Sequence, residues 1–214
     1  MAVVGTRQGF TRRSQDAWVA GAGLVLFLVS ALIAHSGAVG SPERAVFRAV
    51  NGLPDGLSSP MVALQYLGTL IVGPVVVVVA LVFRKWRLAG AAGVATLLKL
   101  ATERGVKLVV HRQRPGTTVP GAVLRGDVPP KGWSFVSGHV ILTGALAILV
   151  TPYLPGRWKV FPWVLVGAVA FARVYLGAHN PLDVTGGLGV GLVIGGVLNL
   201  AFGVPDSASG DAST

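Results

Sequence analysis

The sequence predicts an all-α, polytopic membrane protein with six transmembrane helices, and three observations carry that prediction. The chain of 214 residues is 52% hydrophobic and only 12% charged, with a mean hydropathy of +0.69, too apolar for a soluble domain of this length. Its apolar residues gather into six runs long enough to span a hydrocarbon core: 17–33, 61–83, 88–110, 136–153, 161–176 and 184–202. Basic residues crowd the short segments beside these runs, where orientation signals belong.

The first run follows Arg7, Arg12 and Arg13. It is longer than the roughly 7 to 15 residues of a signal-peptide core and no small-x-small cleavage site follows, so it is expected to be retained as a helix. The predicted organisation is a cytoplasmic segment over 1–16, a six-helix membrane domain over 17–203, and a disordered cytoplasmic tail over 204–214 built of small polar residues.

If the helices alternate, the amino terminus, the loop "RKWR" at 84–87 and the loop holding Arg157 and Lys159 share one side, which the loop charges make cytoplasmic. The opposite face receives 41–59, the long loop 112–133 and the junction of the last two runs. It also holds Arg112, Arg114, Arg125, Lys131 and Arg173, against the orientation rule, which suggests another job for them. The net charge of +10 would raise nucleic-acid binding in a soluble protein; beside apolar runs it reads as topology, with no nucleic-acid partner expected. There is no cysteine, which excludes disulfides and thiolate metal sites.

Polar residues inside or bordering the spans form three clusters. In the third run Lys99, Glu103 and Lys107 follow at i, i+4 and i+8, hence on one helical face, where Glu103 can pair with either lysine. For Lys99 and Glu103 a purely structural ion pair accounts for the pattern equally well. If the helix continues to the proline of "KLVVHRQRP", Lys107 and Arg114 project from the same side and make an anion site at the outer boundary. In "VSGHV", Ser137 is a candidate N-cap, Gly138 admits a ligand close to the backbone, and His139 follows; the amides of this helical turn and its dipole face the same surface. In "ARVYLGAHNPLDV", Arg173 ends one helix, and Asp183 lies four residues after His179. The carboxylate can accept the imidazole N–H and leave the other nitrogen a better base or nucleophile, although an N-capping aspartate explains that spacing nearly as well.

Separately, each cluster is explained by snorkelling or capping. Together they put two histidines, a carboxylate, three long cations and a helix amino terminus on one face. That inventory suits phosphoryl transfer without a metal: Lys107, Arg114, Arg173 and the amides near Ser137 and Gly138 surround the non-bridging oxygens, while one histidine attacks phosphorus and the other protonates the leaving oxygen. No acidic cluster suited to magnesium accompanies them, so neither metal nor cofactor is expected.

These residues resemble the three signature motifs of the type 2 phosphatidic acid phosphatase (PAP2) superfamily. K-x6-R-P is matched from Lys107 to Pro115, P-S-G-H from Val136 to His139, and S-R-x5-H-x3-D from Ala172 to Asp183, in the family's order. Val136 stands where the pattern has proline and Ala172 where it has serine. The resemblance implies a PAP2-like helical bundle, with His179 as nucleophile forming a phosphohistidine, Asp183 activating it, and His139 as general acid. It assigns phosphate binding to Lys107, Arg114, Ser137, Gly138 and Arg173. His111 and Arg112 match no required position and read as structural. The implied partners are membrane lipids and an amphiphilic lipid phosphate, with a polyprenyl diphosphate favoured over phosphatidate or phosphatidylglycerophosphate. A lipid phosphotransferase and a non-catalytic lipid-phosphate binding or transport protein are the alternatives; haloperoxidases with the same site are soluble, unlike a chain with six apolar runs.

Overall fold

A computed structural model describes residues 9–206, so Arg7 and the tail beyond Asp206 lie outside the described residues. The chain folds into helices α1 (Ser14–Ala34), α2 (Ser41–Asn51), α3 (Ser58–Gln65), α4 (Val72–Val82), α5 (Trp86–Val109), α6 (Pro115–Thr118), α7 (Gly138–Val150), α8 (Phe161–Tyr175) and α9 (Pro181–Phe202). The all-α expectation needs one correction. Strands β1 (Phe10–Thr11) and β2 (Val204–Pro205) pair antiparallel, with Phe10 opposite Pro205. Residues 204–206, expected in a disordered tail, are therefore ordered, and the Asp206 amide donates to Gly9 O at 3.1 Å.

The centre of the bundle is α9, packed between α1 and α7 and touching α5, α8 and α2. Glycine makes that crowding possible. A Cβ on Gly189 would lie 2.6 Å from Phe27 N and 2.7 Å from Gly23 O of α1, so only a bare backbone lets the two helices approach this closely. Outward faces of the bundle stay apolar: Leu32 is 77% exposed, Val82 72% and Leu108 76%, as lipid-facing positions should be.

Three helical stretches are long and apolar enough to cross a membrane: Ser14–Ala34, Gly156–Tyr175 and Pro181–Phe202. A fourth crosses if the pair Asp55–Gly68 and Val72–Val82, bent by 61°, acts as one. The other two predicted runs depart from simple spans for different reasons. The charged residues Lys99, Glu103, Arg104 and Lys107 interrupt α5, and α7 has only 13 residues before a short 3-10 turn, about 20 Å of helix at 1.5 Å per residue.

The run 61–83 was expected as one helix and is broken instead. Thr69 turns extended, with ψ of 158°, and breaks the hydrogen-bond ladder just after Gly68, while Pro74 falls in the first turn of α4, where its missing amide costs nothing. The bend carries the end of α3, with Gln65, to the C-terminal end of α8.

Candidate active site

All eight predicted site residues converge where the C-terminal ends of α5 and α8 meet the N-terminal ends of α7 and α9. Two of the routes differ from the expected ones. Because α5 ends at Val109, Arg114 does not share a helical face with Lys107; it arrives on an extended segment, where its Nη1 donates to Ala178 O at 2.8 Å, beside His179. Ser137 is the N-cap residue of α7, but its hydroxyl makes no capping bond, and its amide is already committed to Asp183 O at 2.9 Å. The amides left for an anion are those that follow it, beginning with Gly138.

His179 sits in the turn between α8 and α9, its own amide bonded to Arg173 O at 3.2 Å. Its Nδ1 lies 3.7 Å from Asp183 Oδ2, an electrostatic contact longer than a hydrogen bond. Facing Asp183 with Nδ1 leaves Nε2 as the outward nitrogen. Burial, and then the cations of Arg173, Arg114 and Lys107, hold the His179 imidazole well below its usual range. It is consequently neutral, with a lone pair, at physiological pH.

Of the two roles that its spacing left open, Asp183 has the capping one, and it faces His179 without a hydrogen bond to it. Its Oδ2 accepts the Asn180 amide at 2.8 Å, closing the first turn of α9, while the same carboxylate faces His179. His139 is the second residue of α7, packed against Gly68 and Val169, where a Cβ at position 68 would come 2.7 Å from His139 Cβ. Ser137 Oγ, Arg173 Nε and His179 Nδ1 are all buried without a hydrogen-bond partner among the described residues. A native interior otherwise satisfies such groups, so they make this a candidate site.

Four contributors were missed or undervalued in the sequence. Arg112, read as merely structural, is fully buried and donates to Glu43 Oε1 at 3.0 Å, to Ala38 O at 3.2 Å and to Asp183 Oδ1 at 3.2 Å, with a further contact to Glu43 Oε2. It is structural, but what it supports is the carboxylate facing His179. Glu43 also accepts the Leu182 amide at 2.9 Å, tying α2 to the start of α9. Gln65 Oε1 accepts from Arg173 Nη1 and orients that guanidinium. Glu103 bridges Lys99 at 2.7 Å and Lys107 at 2.5 Å, so the one-face reading of α5 holds. No local pattern marks Glu43 or Gln65, because their partners are distant in sequence.

The basic residues gathered on this face divide by job. Arg114 and Arg173 approach the histidines. Arg125 instead donates to Asn51 O and Tyr175 O at 2.8 and 2.9 Å and pins the long loop onto α2 and α8, and Lys131 is exposed. His111 packs against the Trp133 ring with centroids 4.8 Å apart, which accounts for it structurally. Among the described residues no group of three or more His, Asp or Glu is arranged to hold a metal ion.

Fold and site together define a class: helical membrane proteins that gather two histidines, a carboxylate and several cations around a helix amino terminus. The chain belongs to the PAP2 superfamily, whose profile matches residues 63–204. It is 35% identical over 123 residues to the decaprenylphosphoryl-5-phosphoribose phosphatase of Mycobacterium tuberculosis, covering 56% of this chain and 63% of that protein. It is 30% identical over 138 residues to the undecaprenyl-diphosphatase of Sulfolobus acidocaldarius, covering 61% and 64%. The matched segments thus span less than two thirds of either relative. Among solved structures, the transmembrane PAP2-type phosphatidylglycerolphosphate phosphatase of Bacillus subtilis has the same fold, with a TM-score of 0.66 at 23% identity over 85% of this chain and 94% of that one.

Proposed function

We propose that the chain is a membrane phosphatase that hydrolyses a lipid phosphate or diphosphate through a phosphohistidine intermediate, without a metal, at the extracytoplasmic face. The observation that carries this reading is the neutral His179 between Asp183 and three cations, with His139 at the start of the neighbouring helix. His179 Nε2 attacks phosphorus as the bond to the lipid oxygen breaks, and His139 gives its proton to that oxygen. His139, now neutral, then takes a proton from water as the water oxygen attacks phosphorus and the N–P bond breaks, freeing phosphate and His179. Lys107, Arg114, Arg173 and the Gly138 amide balance the charge on the equatorial oxygens throughout. Ser137 Oγ, unpartnered and buried, supplies one more donor.

A polyprenyl diphosphate is the favoured substrate, supported by the polyprenyl lipids named in two relatives. Purified protein in detergent should release inorganic phosphate from polyprenyl diphosphates in the presence of EDTA, faster than from phosphatidate or phosphatidylglycerophosphate. Transfer to a lipid acceptor without phosphate release would establish the phosphotransferase, and binding without turnover the non-catalytic protein.

His139→Ala is expected to slow lipid-phosphate hydrolysis by about 10²- to 10⁴-fold, the usual contribution of a general acid. The loss should be much smaller with p-nitrophenyl phosphate, whose leaving group departs without a proton. Equal losses on both substrates would rule out the acid role.

The topology that goes with this function has six passes over residues 17–203 and both termini in the cytoplasm. The β1–β2 pairing supports it, since an even number of passes brings both ends to one side. With no native cysteine to interfere, Asp127→Cys should react with an impermeant maleimide from outside intact cells and Lys159→Cys only after lysis. The reverse pattern would invert the assignment.

A further inference from the structure

We propose that Glu103 is a resident anion of the phosphate site, a carboxylate held in the cation cluster that repels an incoming phosphoryl group and so limits how tightly phosphate is kept. This rests on the phosphate-site reading above. Glu103 lies in the last third of α5, where a purely structural partner for Lys99 would be satisfied by that one lysine. Its carboxylate instead spans two, with Oε2 at 2.7 Å from Lys99 Nζ and Oε1 at 2.5 Å from Lys107 Nζ. The same oxygens press on the first residue of α7: a Cβ added to Gly138 would strike Glu103 Oε2 and lie 2.8 Å from Oε1. The carboxylate is therefore paired with a site lysine and packed beside the first residue of α7, next to the helix amino terminus that recruits phosphate oxygens. Its side chain is 20% exposed, about as much as that of Lys107, so the pair remains open to solvent.

The consequence is selective. Lys107 spends one of its three donors on Glu103, so a phosphate that takes another comes within a few ångströms of the carboxylate and meets like-charge repulsion. Inorganic phosphate, with no lipid chain to add binding energy, bears this cost unaided. A lipid phosphate offsets it through the burial of its apolar chain. The same penalty falls on both ligands, but the lipid's buried chain keeps substrate bound where inorganic phosphate is released.

The test is calorimetric titration of inorganic phosphate into the detergent-solubilised full chain, alongside phosphate inhibition of lipid-phosphate turnover. Glu103→Gln keeps the shape and removes the charge, and is expected to tighten phosphate binding and inhibition about tenfold or more, as expected when a like charge at this range is removed. Glu103→Asp, whose shortened carboxylate withdraws from Gly138, should fall between, and it serves if the glutamine variant does not fold. If Glu103 only positions Lys107, removing its charge weakens phosphate binding; unchanged or weaker binding in the folded variants overturns the proposal. Because binding is read without turnover, wild-type protein that binds phosphate but hydrolyses no lipid phosphate would sink the enzymatic reading and leave this one standing.

Discussion

Replacing His179 by alanine is expected to abolish lipid-phosphate hydrolysis, with turnover falling by on the order of 10⁴-fold or more, as for other residues that form a covalent intermediate. The prediction follows from geometry. Asp183 faces Nδ1, burial and three cations keep the ring neutral, and the remaining nitrogen has its lone pair free for phosphorus. Protonation would remove that lone pair, and because the folded pKa is lowered, the imidazole stays reactive until pH falls well below the normal histidine range. The side chain makes no hydrogen bond through Nδ1, so its removal should leave the bundle assembled, as size-exclusion chromatography in detergent would check. Brief incubation with substrate labelled in the transferred phosphate, quenched in base, should leave an acid-labile phosphoryl group on the wild-type chain and none on the variant. Turnover near wild type, or label on the variant, would remove His179 from the nucleophilic role.

The second large effect is at Arg112, which the motif pattern does not require. Its guanidinium is fully buried and joins Glu43 to Asp183, so Arg112→Ala leaves two enclosed carboxylates without their cation. Breaking a buried pair from one side costs roughly 3 to 5 kcal/mol. The variant should unfold at a clearly lower temperature in detergent, and any folded fraction should turn over slowly, because Asp183 loses the contact that orients it toward His179. Arg112→Lys retains the charge but cannot present two nitrogens in one plane, and should recover part of the stability and less of the rate. A melting temperature equal to wild type for Arg112→Ala would refute the bridging role. Glu43→Gln, which can still accept the Leu182 amide, is expected to be milder on stability.

Much of the molecule was legible because its signals are local. A run of apolar residues reports a buried or lipid-facing helix whatever surrounds it, and five of the six runs coincide with one helix to within a few residues. The spacing of Lys99, Glu103 and Lys107 on one helical face likewise requires nothing beyond the pitch of an α-helix, and both ion pairs form. The break in the run 61–83 could have been read from Gly68 and Pro74, but length and hydropathy outweighed them in the prediction. The ordering of Val204 and Pro205 depended on a partner strand almost two hundred residues away, and no composition reports that.

By itself, then, the sequence determined that this is a helical, membrane-suited chain and supplied the eight polar residues of the candidate site, because helix periodicity and motif spacing are properties of neighbouring residues. Only the tertiary structure decided how those residues meet. It routed Arg114 through a loop rather than a helix, committed the Ser137 amide to Asp183 O, placed Arg112 between Glu43 and Asp183, and set the Glu103 carboxylate against Gly138. The physical reason is that a buried charge must find its counter-charge within a few ångströms, and in a bundle that partner comes from whichever helix packs alongside. Packing of that kind leaves no mark on the local sequence of either residue.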